Sequence, residues 1–136
     1  MSALPRPFAR RVLIVDDERH EADTLSLFFT AMGYAVRKAY RAADALAICE
    51  SFLPDVALVD VCAPVVRGYE IAKYIRDQRH EAVLIVGMTL KGFTPDRAMA
   101  REMGIDHHFM KTADLDLLLS FVAHRRPAAG PHLRVA

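Results

Sequence analysis

Five short apolar runs alternate with five segments of helical periodicity along this sequence, and no other feature restricts the possible folds as strongly. The apolar runs are rich in Val, Ile and Leu, and the segments between them repeat apolar residues at spacings of three and four. This alternation is typical of strand–helix units that build a parallel sheet with helices on both faces. Because right-handed crossovers leave few topologies, we expect an α/β fold with a doubly wound, five-stranded parallel sheet and five helices. The predicted strands are 12–16, 35–40, 56–60, 82–88 and 107–111, and the predicted helices are 18–32, 42–53, 69–76, 94–102 and 115–124.

Glycine and proline mark three of the predicted helix ends. Gly33 stands where the first helix needs a residue that tolerates a left-handed backbone. Pro54 ends the second helix, because proline cannot continue a helix from that position. Pro95 suits the first position of the fourth helix, where its missing N–H has no cost.

The composition indicates one ordinary globular domain. The chain has 136 residues, 53% hydrophobic and 26% charged, which suffices for one buried core. We expect residues 1–10 to form a flexible arm and 127–136 a disordered tail, so that the folded domain spans 11–126. A net charge of +1 gives no overall preference for nucleic acid or an anionic membrane. Two cysteines without metal-type spacing, and no apolar run of signal-peptide or membrane-spanning length, favour a cytoplasmic protein.

Polar residues follow four of the predicted strands directly. Asp16 and Asp17 end the first strand, Asp60 the third, Thr89 the fourth and Lys111 the fifth. Sites in doubly wound sheets form beyond the carboxyl ends of the strands, and these four strands can be neighbours there. The sequence therefore predicts three carboxylates, a hydroxyl and an ammonium at one place.

Three clustered carboxylates repel one another unless a cation joins them. Mg²⁺ suits such a place, since it prefers a few carboxylates together with water and phosphate oxygens. A carboxylate beside Mg²⁺ can attack phosphorus and form an acyl phosphate. A hydroxyl and an ammonium could then neutralise the phosphoryl oxygens.

These residues resemble the motifs of the receiver domain of bacterial two-component response regulators. The resemblance covers about residues 11–125 and includes the run VLIVDDE at 12–18, Asp60 followed by Pro64 and Gly68, and then Thr89 and Lys111. It implies a flavodoxin-like sheet of order 2-1-3-4-5, similar to that of single-domain chemotaxis regulators. It also implies a signalling switch that catalyses only its own phosphorylation and dephosphorylation.

The resemblance further implies roles for individual residues. Asp60 would accept a phosphoryl group from a sensor histidine kinase or a histidine phosphotransfer protein. Asp17 and Asp60 would bind Mg²⁺ directly, Asp16 through water, and Cys62 through its backbone carbonyl. Thr89 and Lys111 would contact the phosphoryl group. His108 stands at the position of the family's switch side chain, and Thr89 would move with it.

The resemblance also implies partners. A downstream effector protein would bind through the fourth helix, fifth strand and fifth helix, and the same region could form a homodimer. We expect no output domain in this chain, and therefore an interaction module that binds neither nucleic acid nor a membrane, although a receiver excised from a longer regulator stays open.

Four positions depart from the family pattern. Thr112 replaces the proline that usually follows the lysine with a cis bond, so the isomer of the Lys111–Thr112 bond stays open. Leu90 is bulkier than the usual residue after the threonine. Ala63 and Arg67 also differ from the common choices.

Other interpretations stay open at this point. Asp16 and Asp17 also suit a helix N-cap, and His108 is equally compatible with a half-buried structural role. A receiver-like scaffold that works without phosphorylation is the main alternative function. An aspartate-dependent phosphatase would need a second acid where Cys62 stands, and a flavodoxin-like cofactor protein would need a glycine-rich loop after the first strand.

Overall fold

The computed structural model contains five strand–helix units in the predicted order. It describes residues 11–62, 67–79, 82–111 and 114–125. The predicted arm, the tail beyond Arg125, Pro64 and the Lys111–Thr112 bond lie outside the described residues. The strands are β1 (Arg11–Val15), β2 (Ala35–Ala39), β3 (Val56–Asp60), β4 (Leu84–Thr89) and β5 (His107–Met110). The helices are α1 (Arg19–Ala31), α2 (Ala42–Phe52), α3 (Gly68–Arg79), α4 (Arg97–Glu102) and α5 (Leu115–His124).

All four strand pairings are parallel, and the sheet order is β2-β1-β3-β4-β5. This order confirms the predicted doubly wound topology. The chain reverses direction across the sheet between β1 and β3, which is where a doubly wound sheet places its site. β2 and β5 form the two edges.

Two apolar layers cover the faces of the sheet. In β1, Val12 and Ile14 face α1 and α5, while Leu13 and Val15 face α2, α3 and α4. This alternation follows from the two-residue period of a strand. β3 is buried along its whole length, because helices cover both of its faces.

The start of α4 corrects one prediction. The helix begins at Arg97, and Asp96 is its N-cap, with the carboxylate accepting a hydrogen bond from Met99 N at 3.0 Å. Pro95 therefore precedes the helix and does not occupy its first position. Asp96 is the N-cap because its side chain accepts a hydrogen bond from an N–H group that the first turn of a helix leaves without a partner. At the end of α1, Gly33 has a φ of +98°, as predicted.

A buried ion pair ties α3 to the strand β5. The guanidinium of Arg76 lies 2.6 Å from the carboxylate of Asp106 and also donates to the carbonyl oxygens of Val83 and Gly104. Asp106 also accepts a hydrogen bond from Ile85 N of β4 at 2.8 Å, so the ion pair is connected to β4 as well. Within the part of the chain that is described, no helix has the length and apolar character to cross a membrane.

Candidate phosphoryl-acceptor site

Asp60 lies at the carboxyl end of the central strand β3 and is only 3% exposed. One of its carboxylate oxygens accepts a hydrogen bond from Cys62 N at 2.8 Å. The other lies 3.0 Å from the ammonium of Lys111. A Cβ atom at Gly68 would collide with the carbonyl oxygen of Asp60, so glycine lets α3 begin this close to β3. Cys62 and Gly68 thus both approach Asp60 closely.

The two aspartates after β1 lie beside Asp60. Oxygen atoms of Asp16, Asp17 and Asp60 all lie within 4.8 Å of one another. Asp16 is buried and Asp17 is more open to solvent. The N-cap of α1 is Glu18, whose side chain accepts from Glu21 N at 2.9 Å. Capping of α1 therefore does not account for Asp16 and Asp17.

Lys111 connects the carboxylates from the end of β5. Its ammonium lies 2.8 Å from Asp16, 3.0 Å from Asp60 and 3.1 Å from Glu21, and the side chain is 11% exposed. Sequence reasoning missed Glu21, which lies in the first turn of α1. A glutamate in the first turn of a helix ordinarily interacts favourably with the helix dipole. Nothing in the local sequence pattern therefore indicates that Glu21 pairs with Lys111, 90 residues away.

The electrostatics of this cluster favour a bound cation. Burial raises the pKa of Asp16 to about 6, although hydrogen bonds to Lys111 and Glu18 N oppose the shift. Burial lowers the pKa of Lys111, but its hydrogen bonds to Asp16 and Asp60 outweigh burial and raise it. The ammonium of Lys111 therefore does not fully offset the free-energy cost of ionising the buried Asp16. Further positive charge at this place would stabilise the ionised form of Asp16.

Thr89 ends β4 next to these groups. The residue is 6% exposed, and its carbonyl oxygen accepts from Lys111 N at 2.7 Å. Leu90 follows, half exposed, and its N–H donates to the sulfur of Cys62 at 3.3 Å. This bond joins the loop after β3 to the loop after β4. Cys62 thus contacts both Asp60 and Leu90, while the predicted role of its carbonyl stays a prediction.

His108 lies apart from the carboxylates, with its ring packed over Gly87 of β4. A Cβ atom at Gly87 would come within 3.0 Å of that ring, so the ring occupies space that only glycine leaves. Nε2 is buried and has no hydrogen-bond partner among the described residues. Burial, and then the charge of Arg97, lowers the pKa of His108. This environment therefore favours the neutral form of the ring.

The arrangement joins a buried carboxylate to a cluster of acidic groups that could hold a metal ion. Asp16, Asp17 and Asp60 offer the hard oxygen ligands that a divalent cation requires. Lys111 and Thr89 are positioned at the same edge of the sheet by β5 and β4. Such a set can accept a group that carries negative charge, above all a phosphoryl group.

Comparison with known proteins agrees with this geometry. Residues 12–123 match the family model described as the response regulator receiver domain. The response regulator ArlR of Staphylococcus aureus strain Mu50 is 32% identical over 110 residues, which cover 81% of this chain and 49% of ArlR. The chain thus spans about half the length of the curated relatives that it matches.

Two solved structures have the same fold. The CheY-like receiver domain protein of Methanospirillum hungatei JF-1 is 26% identical, with a TM-score of 0.73 over 82% of this chain and 88% of that one. The response regulator TrrA of Thermotoga maritima, solved in complex with Mg²⁺ and BeF, is 25% identical. Its TM-score is 0.71 over 83% of this chain and 96% of that one.

Proposed function

This chain belongs to the response regulator receiver domain family, and on that basis we propose that Asp60 is its phosphoryl acceptor. The donor is a sensor histidine kinase or a histidine phosphotransfer protein. One observation carries the proposal: Asp60 is the buried carboxylate on which Cys62 N, Lys111 and the neighbouring aspartates converge. Asp16 and Asp17 are less suited to the role, since β3 lies centrally and β1 presents them from the side.

We propose Mg²⁺ as the cation of the site. Asp17 and Asp60 would hold it directly, Asp16 would hold it through water, and the carbonyl of Cys62 would complete the protein ligands. Two features of this chain support the fit: three carboxylates within 4.8 Å, and a buried Asp16 whose ionised form one ammonium does not fully stabilise. The complex of TrrA with Mg²⁺ and BeF adds support from a relative. When bound, the ion supplies positive charge to the carboxylates and to the incoming phosphoryl oxygens.

The transfer itself is a displacement at phosphorus. A carboxylate oxygen of Asp60 forms a bond to phosphorus while the bond from phosphorus to the donor's imidazole nitrogen breaks, and the electron pair stays on that nitrogen. Lys111, which now neutralises Asp16 and Asp60, contacts a phosphoryl oxygen, and the Thr89 hydroxyl contacts another. Dephosphorylation is a separate hydrolysis, in which a water oxygen forms a bond to phosphorus while the bond from phosphorus to the Asp60 oxygen breaks, so that inorganic phosphate leaves and the Asp60 carboxylate is restored.

Phosphorylation then changes a surface. Thr89 moves toward the phosphoryl group, and His108 shifts with it on the neighbouring strand β5. Nε2 of His108 is buried and has no hydrogen-bond partner in the described part of the chain, which supports this role because a side chain without hydrogen bonds loses little when it moves. The surface of α4, β5 and α5 thereby changes its affinity for a downstream effector.

The test is phosphorylation by a small donor. The protein is incubated with acetyl phosphate and Mg²⁺, and its intact mass is measured. We expect one phosphoryl adduct that disappears with a chelator and in Asp60→Asn. Asp77→Asn, at an exposed aspartate of α3, serves as the matched control and keeps the adduct.

An adduct of wild-type size in Asp60→Asn would exclude Asp60 as acceptor. If the wild type gives no adduct, beryllofluoride is added and NMR spectra are recorded. A protein that responds to neither reagent would instead be a receiver-like scaffold, which the bulky Leu90 favours.

A further inference from the structure

A basic groove runs between α4 and α5 along the edge strand β5. It encloses about 300 Å³. Arg97 and Arg101 of α4 form one wall, Phe121 and Arg125 of α5 form the other, and His107 of β5 lies between them. We call this the arginine groove. None of the groups placed in the phosphoryl site lines it.

The positive charges of Arg97 and Arg101 have no acidic partner among the described residues that line the arginine groove. Asp106 is the only acidic residue among the described lining residues, and its fully buried carboxylate already bonds Arg76 at 2.6 Å. Arg97 and Arg101 form no ion pair with any described residue. The guanidinium of Arg125 lies 4.8 Å from the centre of the Phe121 ring, where it presents its charge at the groove wall. Three guanidinium groups thus face one narrow space.

Apolar side chains flank this charge. Leu117 stands one helical turn before Phe121 on α5 and is 55% exposed. Met110, at the end of β5, is 52% exposed. A surface that combines arginines, an aromatic ring and exposed apolar groups has the composition of a protein-binding site.

We propose that the arginine groove binds an acidic segment of a partner protein, with glutamate or aspartate side chains on the arginines and an apolar side chain against Phe121 and Leu117. The inference rests on the proposed function in one respect: it identifies the chemistry of the effector that binds the α4, β5 and α5 surface. Arginine pairs with carboxylates through two parallel hydrogen bonds, which favours an acidic ligand over any neutral one.

Two other occupants fit less well. A second copy of this chain would bring a surface with the same excess of arginine to the groove, so charges of the same sign would be brought close together. Nucleic acid would need a basic stripe that follows successive phosphates, whereas this groove is short and flanked by apolar side chains. An acidic segment satisfies both the charge and the apolar rim.

The groove is also connected to the proposed switch. His108 lines it from the floor, and the charge of Arg97 acts on the His108 ring. A shift of His108 would therefore alter the floor of the groove between its two arginine walls. Phosphorylation at Asp60 can change the affinity of the groove by this route, because the His108 ring is both the proposed switch side chain and part of the groove floor.

The test uses the full chain, labelled with ¹⁵N, and two short peptides. One contains glutamate and leucine, and the other has lysine in place of each glutamate. We expect the acidic peptide to shift the amides of Arg97, Arg101 and His107 at concentrations up to about 1 mM, and the lysine peptide to have no such effect. Added salt should weaken the binding, since the contacts are near solvent.

A matched pair of variants locates the binding. The double variant with Arg97→Glu and Arg101→Glu should bind the acidic peptide at least about tenfold more weakly than the wild type. Arg41→Glu changes a comparable exposed charge next to α2, beyond the opposite edge of the sheet, and should leave the affinity unchanged. All three positions are exposed, so circular dichroism should show folded variants.

Several outcomes would overturn the inference. These are equal binding of both peptides, no shifts with the acidic peptide, tighter binding of a short DNA duplex at the same residues, or a homodimer formed through them. The acetyl phosphate assay on the same samples separates the two proposals. Uptake of phosphoryl without peptide binding would refute the arginine groove alone. Peptide binding without a response to acetyl phosphate or to beryllofluoride would refute only the phosphoryl site.

Discussion

Replacement of Lys111 by Met should destabilise the metal-free protein by about 3 kcal/mol at about pH 8. The ammonium lies within 3.1 Å of three carboxylates, and two of these, Asp16 and Asp60, are almost fully buried. Removing one partner of a buried ion pair costs about 3–5 kcal/mol, because an uncompensated charge stays behind. The lower end applies here, since Asp16 can take up a proton: burial raises its pKa to about 6 even with Lys111 present.

The pH dependence of this loss follows from the same pKa. Without Lys111, the pKa of Asp16 rises further, so the folded variant holds a proton that the unfolded chain has released. Relative to wild type, the variant therefore regains stability as the pH falls, by up to about 1.4 kcal/mol per pH unit, until the pH reaches about 6, where Asp16 of the wild type also takes up its proton. The loss relative to wild type should be largest at about pH 8 and much smaller at about pH 6.

Urea unfolding with a chelator present measures this effect at both pH values. The control is Lys73→Met, which removes an exposed ion pair with Asp77 on α3 and should cost less than about 1 kcal/mol at either pH. If Lys111→Met cost no more than the control, or cost the same at both pH values, the argument from buried charge would be wrong.

Three further predictions concern the ion pair of Arg76 with Asp106, the close approach of Gly68 to Asp60 and the binding of Mg²⁺. Arg76→Met removes the cationic partner of the buried Asp106 carboxylate and should lower the free energy of unfolding in urea by about 3–5 kcal/mol. A loss near zero would show that the ion pair does not stabilise the fold. Gly68→Ala places a Cβ atom against the carbonyl of Asp60, so we expect a lower Tm and slower phosphorylation; no change in either would refute the close approach. Because the pKa of Asp16 is about 6, protons compete with Mg²⁺ there. The Mg²⁺ affinity in calorimetry should fall as the pH drops below about 6, and a flat profile would contradict this.

The fold and the positions of the site residues follow closely from the sequence. The parallel sheet is confirmed because buried central strands require continuous apolar runs, and β3 is such a run. The convergence of Asp16, Asp17, Asp60 and Lys111 follows from topology alone, since parallel strands bring their carboxyl ends to one edge. Membership of the receiver family confirms the resemblance.

Side-chain partners were harder to predict. The contact of Glu21 with Lys111 and that of Arg76 with Asp106 join residues far apart in the chain, and no periodicity encodes such pairs. The predicted start of α4 was wrong because Pro95 and Asp96 both suit a helix start. Only the hydrogen bond from Met99 N to the Asp96 carboxylate decides between them.

The central claim is that Asp60 itself carries the phosphoryl group. The phosphorylated protein is treated with sodium borohydride, which reduces an aspartyl phosphate and leaves free carboxylates intact, and the modified peptide is identified by tandem mass spectrometry. The account predicts homoserine in place of Asp60, only after incubation with acetyl phosphate and Mg²⁺. Reduction at Asp16 or Asp17, or at a residue outside the carboxylate cluster, would contradict it.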